Sequence, residues 1–242
     1  MRAKISISNP SEKPIPYDYQ YAMASMLYHR LAEGNVELAN EIHSHQNFKF
    51  YTFSNLVLQG KREDVRGLAF READFILTSP DPLFIKSFAE GLLSKPEFHL
   101  GSINLYINEI RILPQMSIRD ECLFKTISPV YIKTKRRVDD KLQEWDLYPK
   151  DGKFYENVHK NLLERYEEFF KTKLDDDFFE ITDISDFKGK RIKIAGSYRR
   201  CSLMIFKING SPELLKFAYD AGLGEKNAMG FGCLEVVNGN LK

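Results

Sequence analysis

The chain has 242 residues, 43% hydrophobic and 13% aromatic, with a formal net charge of +1. This composition supports an ordinary apolar core in one large domain or two small ones, and it reads as a soluble globular protein. Cys122, Cys201 and Cys233 are odd in number, far apart and without a C-x-x-C pair, which argues against a disulfide framework or zinc knuckle and fits a reducing cytoplasm. No stretch approaches the length of a membrane span, and the opening "MRAKISISNP" alternates like a strand without the apolar run of a signal peptide.

In chain order, the short strand "AKISIS" comes first. After Pro14 and Pro16, "YQYAMASMLYHRLA" places Ala24, Leu27, Tyr28 and Leu31 on one helical stripe. A second short helix, "NVELANEIH", starts at Asn35. Two strand-like segments follow, "TFSNLVLQ" and "LAFREADFILTS", then a helix from about Pro82 to Leu93, then "INLYINEIRIL" alternating with period two. The order is β-α-β-β-α-β.

The same order recurs from about Phe124. "FKTISPVYI" reads as a strand, and "ENVHKNLLERYEEFF" as a helix with Val158, Leu162, Tyr166 and Phe170 four apart. Strands "DFFEI" and "RIKIAGSYRRCSLMIFKI" come next, then the helix "SPELLKFAYDA" and a closing strand, "FGCLEVV". Ser211 is placed to cap that last helix, Pro212 opens it, and Leu214, Ala218 and Ala221 share a face. The fold expected is α+β, with two tandem ferredoxin-like (RRM-like) βαββαβ domains over 1–118 and 119–242. That plan hosts many functions and by itself decides little.

Charge is uneven along the chain. Glu164 to Glu180 holds seven acids and three bases, whereas Asp186 to Lys207 holds seven bases against one acid. Arg191 and Lys193 alternate with Ile192 and Ile194, so both cations fall on one strand face, and Arg199 and Arg200 follow after a short turn. Lys61, Arg62 and Arg66 in "GKREDVRG" make a second basic cluster. Together they suit a phosphate track; singly, each also reads as a solvated residue on a sheet edge. The paired aromatics of a standard RNP1 motif are missing, so base stacking on the sheet face is not expected.

Gly222, Gly224, Gly230 and Gly232 in "GLGEKNAMGFG" follow a helix and precede a strand, the reverse of a P-loop or Rossmann turn. Lys226 is followed by Asn227 where a Walker motif needs Ser or Thr, so a nucleotide-binding motif is rejected. The loop is either a tight helix-to-strand turn or a stretch of bare backbone that approaches another group.

With "AYDAGLGEKNAMGFG" in this position, the chain resembles the CRISPR-associated endoribonucleases of the sixth Cas family, within the RAMP superfamily. The likeness extends through "IPYDYQYAMASMLYHRLA", "NEIHSHQNFKFYTFS", "QGKREDVRG" and "FAEGLL". The resemblance implies metal-independent cleavage of CRISPR repeat RNA, without a cofactor, by attack of a 2′-OH on the adjacent phosphate. It also implies that the glycine loop approaches RNA backbone and that Tyr28, His43 and Lys49 are the catalytic residues. His43 would move the proton, Lys49 would neutralise charge on the phosphate, and Tyr28 would orient or help deprotonate the hydroxyl.

Each residue also has an ordinary reading: Tyr28 as a core tyrosine, His43 as a helix-ending histidine favoured by the macrodipole, and Lys49 as a solvated lysine. His45 stands two residues from His43 and could share the proton work. A metal at this H-x-H lacks further clear ligands. Repeat RNA is the partner expected, with effector-complex proteins and a second copy of the chain as further candidates. The alternative function is a guide-RNA-binding subunit of the same fold that does not cut, and a small-molecule regulator would have no need of the separated basic clusters.

Overall fold

The computed structural model describes residues 1–44, 48–194 and 196–237. It divides into two compact units, Met1–Gln115 with Ala228–Gly230, and Met116–Asn227 with Phe231–Lys242.

In unit 1, strand β1 (Arg2–Ser8) leads into helices α1 (Gln20–Gly34) and α2 (Val36–Ser44). Strands β2 (Thr52–Phe53), β3 (Val57–Gln59), β4 (Arg62–Asp64), β5 (Gly67–Ala69) and β6 (Glu72–Thr78) follow, then helix α3 (Pro82–Ser94) and strands β7 (Glu97–Leu100) and β8 (Ile103–Ile112). The main sheet runs β2-β6-β1-β8-β7, with β3 also on β6 and all pairs antiparallel. Taking β2 and β3 as one interrupted strand, this is the ferredoxin-like order. Ile5, Ile7, Phe75, Leu77 and Leu105 of the sheet join Met23, Leu27 and Leu31 of α1 and Phe84, Phe88 and Leu92 of α3 in one core.

The ends of these helices are written locally. The Asp81 carboxylate accepts from the Leu83 N–H at 2.8 Å ahead of Pro82, and the Asn35 side chain accepts from the Leu38 N–H at 3.0 Å. Helices α1 and α3 touch backbone to backbone. A Cβ on Gly34 would stand 1.8 Å from the Ser87 carbonyl oxygen, and one on Gly91 1.8 Å from that of Arg30. Only glycine permits that approach.

Unit 2 contains β9 (Glu121–Thr126), the hairpin β10 (Lys133–Val138) and β11 (Lys141–Asp146), helix α4 (Lys153–Phe170), strands β12 (Phe179–Ile194) and β13 (Ser197–Gly210), helix α5 (Pro212–Ala221) and β14 (Leu234–Val236); of the single 3₁₀ turn at Asn227–Met229, only Asn227 belongs to it. Its sheet runs β12-β13-β9-β14, again antiparallel and in the ferredoxin-like order. Val158, Leu162 and Tyr166 of α4 are buried as their spacing requires, but Phe170 is 48% exposed and its ring rests on Tyr166 and Phe217. Ser211 caps α5 by accepting from the Leu214 N–H at 3.3 Å.

Several strands differ from the sequence-based expectation. "TFSNLVLQ" breaks into β2 and β3, and "LAFREADFILTS" into β5 and β6, with β4 and β5 forming their own small hairpin. Of "FKTISPVYI" only the first part is a strand, with Val130 adding a lone antiparallel bridge to Ser202, and "RIKIAGSYRRCSLMIFKI" is the two arms of a hairpin turning near Gly196, whose φ is +84°. The β10–β11 hairpin is not expected at all. It turns at Asp139 and Asp140, both left-handed at φ +47° and +59°, as a two-residue hairpin turn of type I′ requires. Among the described residues, no helix is long and apolar enough to cross a membrane.

Candidate functional site

Tyr28, His43 and Lys49 converge in unit 1. Tyr28 lies half-buried on α1 beside the core, and His43 lies exposed in the last turn of α2. Their ring centroids are 5.6 Å apart at an interplanar angle of 47°. The Lys49 ammonium donates to the His43 carbonyl oxygen at 3.4 Å, which brings a cation to the end of the same helix. Partial burial lowers the Lys49 pKa from its ordinary value.

Beneath Tyr28 lies Tyr51, buried and stacked on Phe84 at 4.4 Å. Burial, and then the neighbouring Tyr28, push the Tyr51 phenol up, so it stays protonated. The cluster thus offers a phenol, an accessible imidazole and an ammonium on a floor of buried aromatics. Those are the groups that proton transfer and charge neutralisation at a phosphodiester require. His45 lies outside the described residues.

The first basic cluster sits on the β4–β5 hairpin, and each cation there already has a carboxylate. Lys61 pairs with Glu63 at 2.7 Å, Arg62 with Glu12, and Arg66 with Asp64 at 3.0 Å. The Arg66 hydrogen bond holds the Asp64 carboxyl down at about 2. Arg71, which sequence reasoning missed, shares Glu12 at 3.2 Å. Exposed pairs of this kind are weak, and a phosphate competes readily for the cation.

The second cluster splits in two. Arg191 and Lys193 are exposed on the part of β12 that continues past the four-stranded sheet, since β9 pairs only with Ile205–Asn209 of β13. The Arg191 guanidinium lies 5.2 Å from the centre of the Tyr198 ring, and among the described residues neither Arg191 nor Lys193 has an ion pair. Arg199 and Arg200 instead fasten β13 to the β10–β11 hairpin. Arg199 reaches Glu144 at 3.1 Å and Asp146 at 3.7 Å, while the backbone N–H and guanidinium of Arg200 both donate to Asp146.

Gly222, Gly224, Gly230 and Gly232 are all buried, with φ between +73° and +87°. A Cβ on Gly224 would meet the Tyr131 carbonyl oxygen at 2.5 Å, one on Gly230 the Phe53 ring at 2.5 Å, and one on Gly232 the Leu223 carbonyl oxygen at 1.9 Å. The protein's own packing therefore requires glycine at these positions. The loop is held by a residue that sequence reasoning missed. Arg165 of α4, 2% exposed, donates to the carbonyls of Ala221 at 2.7 Å, Gly222 at 2.8 Å and Gly224 at 3.4 Å. Burial brings its pKa down to about 9.

"CRISPR-associated protein Cas6, N-terminal" matches residues 14–111, and "CRISPR associated protein Cas6, C-terminal" matches residues 113–236. The chain is 38% identical to CRISPR-associated endoribonuclease Cas6 1 of Methanocaldococcus jannaschii, over 98% of this chain and 92% of that protein. A solved structure titled "CRISPR associated protein Cas6" is 36% identical with a TM-score of 0.86, covering 98% of this chain and 99% of its own. Another, titled "An RAMP protein binding different RNA substrates", is 28% identical with a TM-score of 0.90, covering 98% of this chain and all of its own. Both halves match in order and over almost their whole length, and the chain belongs to the Cas6 family of CRISPR-associated proteins.

Proposed function

We propose that the protein is a metal-independent endoribonuclease that cuts CRISPR repeat transcripts into guide RNAs in the cytoplasm. The reading is supported by family membership and carried by one observation, the convergence of Tyr28, His43 and Lys49. In this reading the N-terminal ferredoxin-like domain, residues 1–118, bears the catalytic residues, and the C-terminal one, residues 119–242, bears the glycine loop.

Tyr28 orients or helps deprotonate the 2′-OH. His43 transfers the proton, and Lys49 neutralises the negative charge that grows on the phosphorane oxygens. The 2′ oxygen forms a bond to phosphorus as the bond to the 5′ oxygen breaks. The leaving oxygen takes a proton, which gives a 2′,3′-cyclic phosphate and a 5′-OH. Lys61, Arg62, Arg66, Arg191 and Lys193 are proposed as phosphate contacts.

A second reading, RNA binding without cleavage, is favoured by the likeness to the RAMP protein described as binding different RNA substrates, where binding alone is named. One experiment separates the two: incubation of the protein with its cognate repeat RNA in EDTA, followed by end-group analysis. The proposal expects one cut per repeat with the stated ends, abolished by a 2′-deoxy substitution at the nucleotide before the cut. Binding without a cut in either EDTA or divalent ion supports the second reading. A cut that requires added divalent ion overturns the metal-free mechanism.

A further inference from the structure

The chain's single tryptophan lies on the unexpected hairpin. In the β10–β11 register, Thr134 faces Trp145, Arg136 faces Gln143, and Val138 faces Lys141. Paired residues of an antiparallel ladder share a face, so these six residues form one side of the hairpin, and that side carries no carboxylate. The strands' acids, Glu144 and Asp146, lie on the other side, where Lys133, Arg199 and Tyr131 engage them.

Trp145 is 39% exposed, although a tryptophan with only a structural task is mostly covered. Guanidinium groups flank it: Arg136 lies 4.6 Å and Arg200 4.9 Å from its ring centre. Arg200 also lies 5.3 Å from the ring centre of Tyr148, which meets Phe187 edge-on at 5.7 Å. The two Asp146 hydrogen bonds fix Arg200 in this ladder, and Arg136 forms a long ion pair with Asp151 at 3.7 Å.

We infer that this face of the β10–β11 hairpin is a separate binding site for unpaired RNA, with a base stacked on Trp145 and the adjoining phosphates held by Arg136, Lys141 and Arg200. A face whose strands carry cations and no acids complements a polyanion, and the exposed indole offers a flat π-surface to an unstacked base once the Arg136 guanidinium lying over it leaves Asp151 and turns to a phosphate. Bases in a duplex are already stacked, so the site takes single strands. The inference rests on the RNA-processing function above but not on the cluster of Tyr28, His43 and Lys49.

Because Trp145 is the only tryptophan, its emission reports its own site. The test titrates the full chain with a single-stranded oligoadenylate RNA and, in parallel, with fully paired RNA of equal length. Saturable quenching by the single strand alone is expected, with Trp145→Ala weakening its affinity about 10-fold or more and Trp145→Phe recovering most of the loss. Arg136→Ala should reduce the salt slope of binding by about one. A thermal melt accompanies each variant; should Trp145→Ala unfold early, the quenching of the unsubstituted chain decides.

Cleavage of repeat RNA with unchanged Trp145 emission, and with single-strand affinity unchanged in the Ala variant, overturns the stacking site and leaves the nuclease standing. Saturable quenching without any cleavage does the reverse. Failure to bind any RNA overturns both.

Discussion

Tyr28 and His43 stand with their rings 5.6 Å apart on successive helices, and the Lys49 ammonium closes onto the His43 carbonyl from the segment beyond. The turn at Asn35 makes this possible, because its side chain caps α2 and folds that helix back beside α1. A site assembled from two helices and the chain that leaves them holds its groups more firmly than three loop residues would.

His43→Ala should lower single-turnover cleavage of repeat RNA by about 100-fold or more while changing affinity only a few-fold, the pattern expected when proton transfer is lost and binding is not. His45→Ala is the control. If the His45 variant stops cleavage and the His43 variant does not, the assignment within "HSH" reverses.

With Lys49 in the proposed charge-neutralising role, the reaction should have an alkaline limit. Burial lowers its pKa, so the ammonium is present below that value and is lost as pH rises through it, earlier than for an ordinary solvated lysine. Cleavage should therefore fall on the alkaline side at a lower pH than an unperturbed lysine would give. Lys49→Arg, which stays charged, should move that fall upward, whatever it does to the maximal rate. A pH–rate profile that is the same for the lysine and arginine proteins would remove Lys49 from the charge-stabilising role.

The helices are legible from sequence because their ends are written in neighbouring residues: Asn35 before α2, Asp81-Pro82 before α3 and Ser211-Pro212 before α5. The β10–β11 hairpin is not. All of its residues from Lys135 to Trp145 are exposed, so no apolar alternation marks it, and its turn uses two aspartates without a glycine. Long-range partners are equally hidden. Nothing near Arg165 in sequence signals three carbonyls at and beyond the end of α5, and nothing near Trp145 signals Arg200. Tyr28, His43 and Lys49 can be named from family resemblance, but their convergence depends on how α2 packs.

The basic residues of β12 and β13 should separate by role. Arg191→Ala should weaken RNA binding and lower its salt slope by about one with little change in melting temperature, since Arg191 is exposed and makes a ring contact with Tyr198. Arg199→Ala should lower stability as well, because Glu144 and Asp146 both lose a partner. Equal melting of the two variants would show that the Arg199 ion pairs do not hold the hairpin.

The glycine loop is where binding and stability are hardest to tell apart, and Arg165 offers the way to do it. Gly224→Val or Gly230→Val forces a β-branched residue into a left-handed backbone and sets its Cβ against the Tyr131 carbonyl or the Phe53 ring, a cost of at least about 2 kcal/mol. Destabilisation alone is therefore enough to weaken RNA binding in those variants. Arg165→Met leaves the glycine backbone untouched but strips the carbonyls of Ala221, Gly222 and Gly224 of their donor, and should cost about 3 kcal/mol. Arg165 is buried and reaches no solvent. If the loop is only a turn, affinity in all three variants should track the melting temperature on a single line. If the loop backbone approaches RNA, the valine variants should fall below the line set by Arg165→Met, because the added side chains also block the approach. Affinity measured beside a melt for each variant decides between the two.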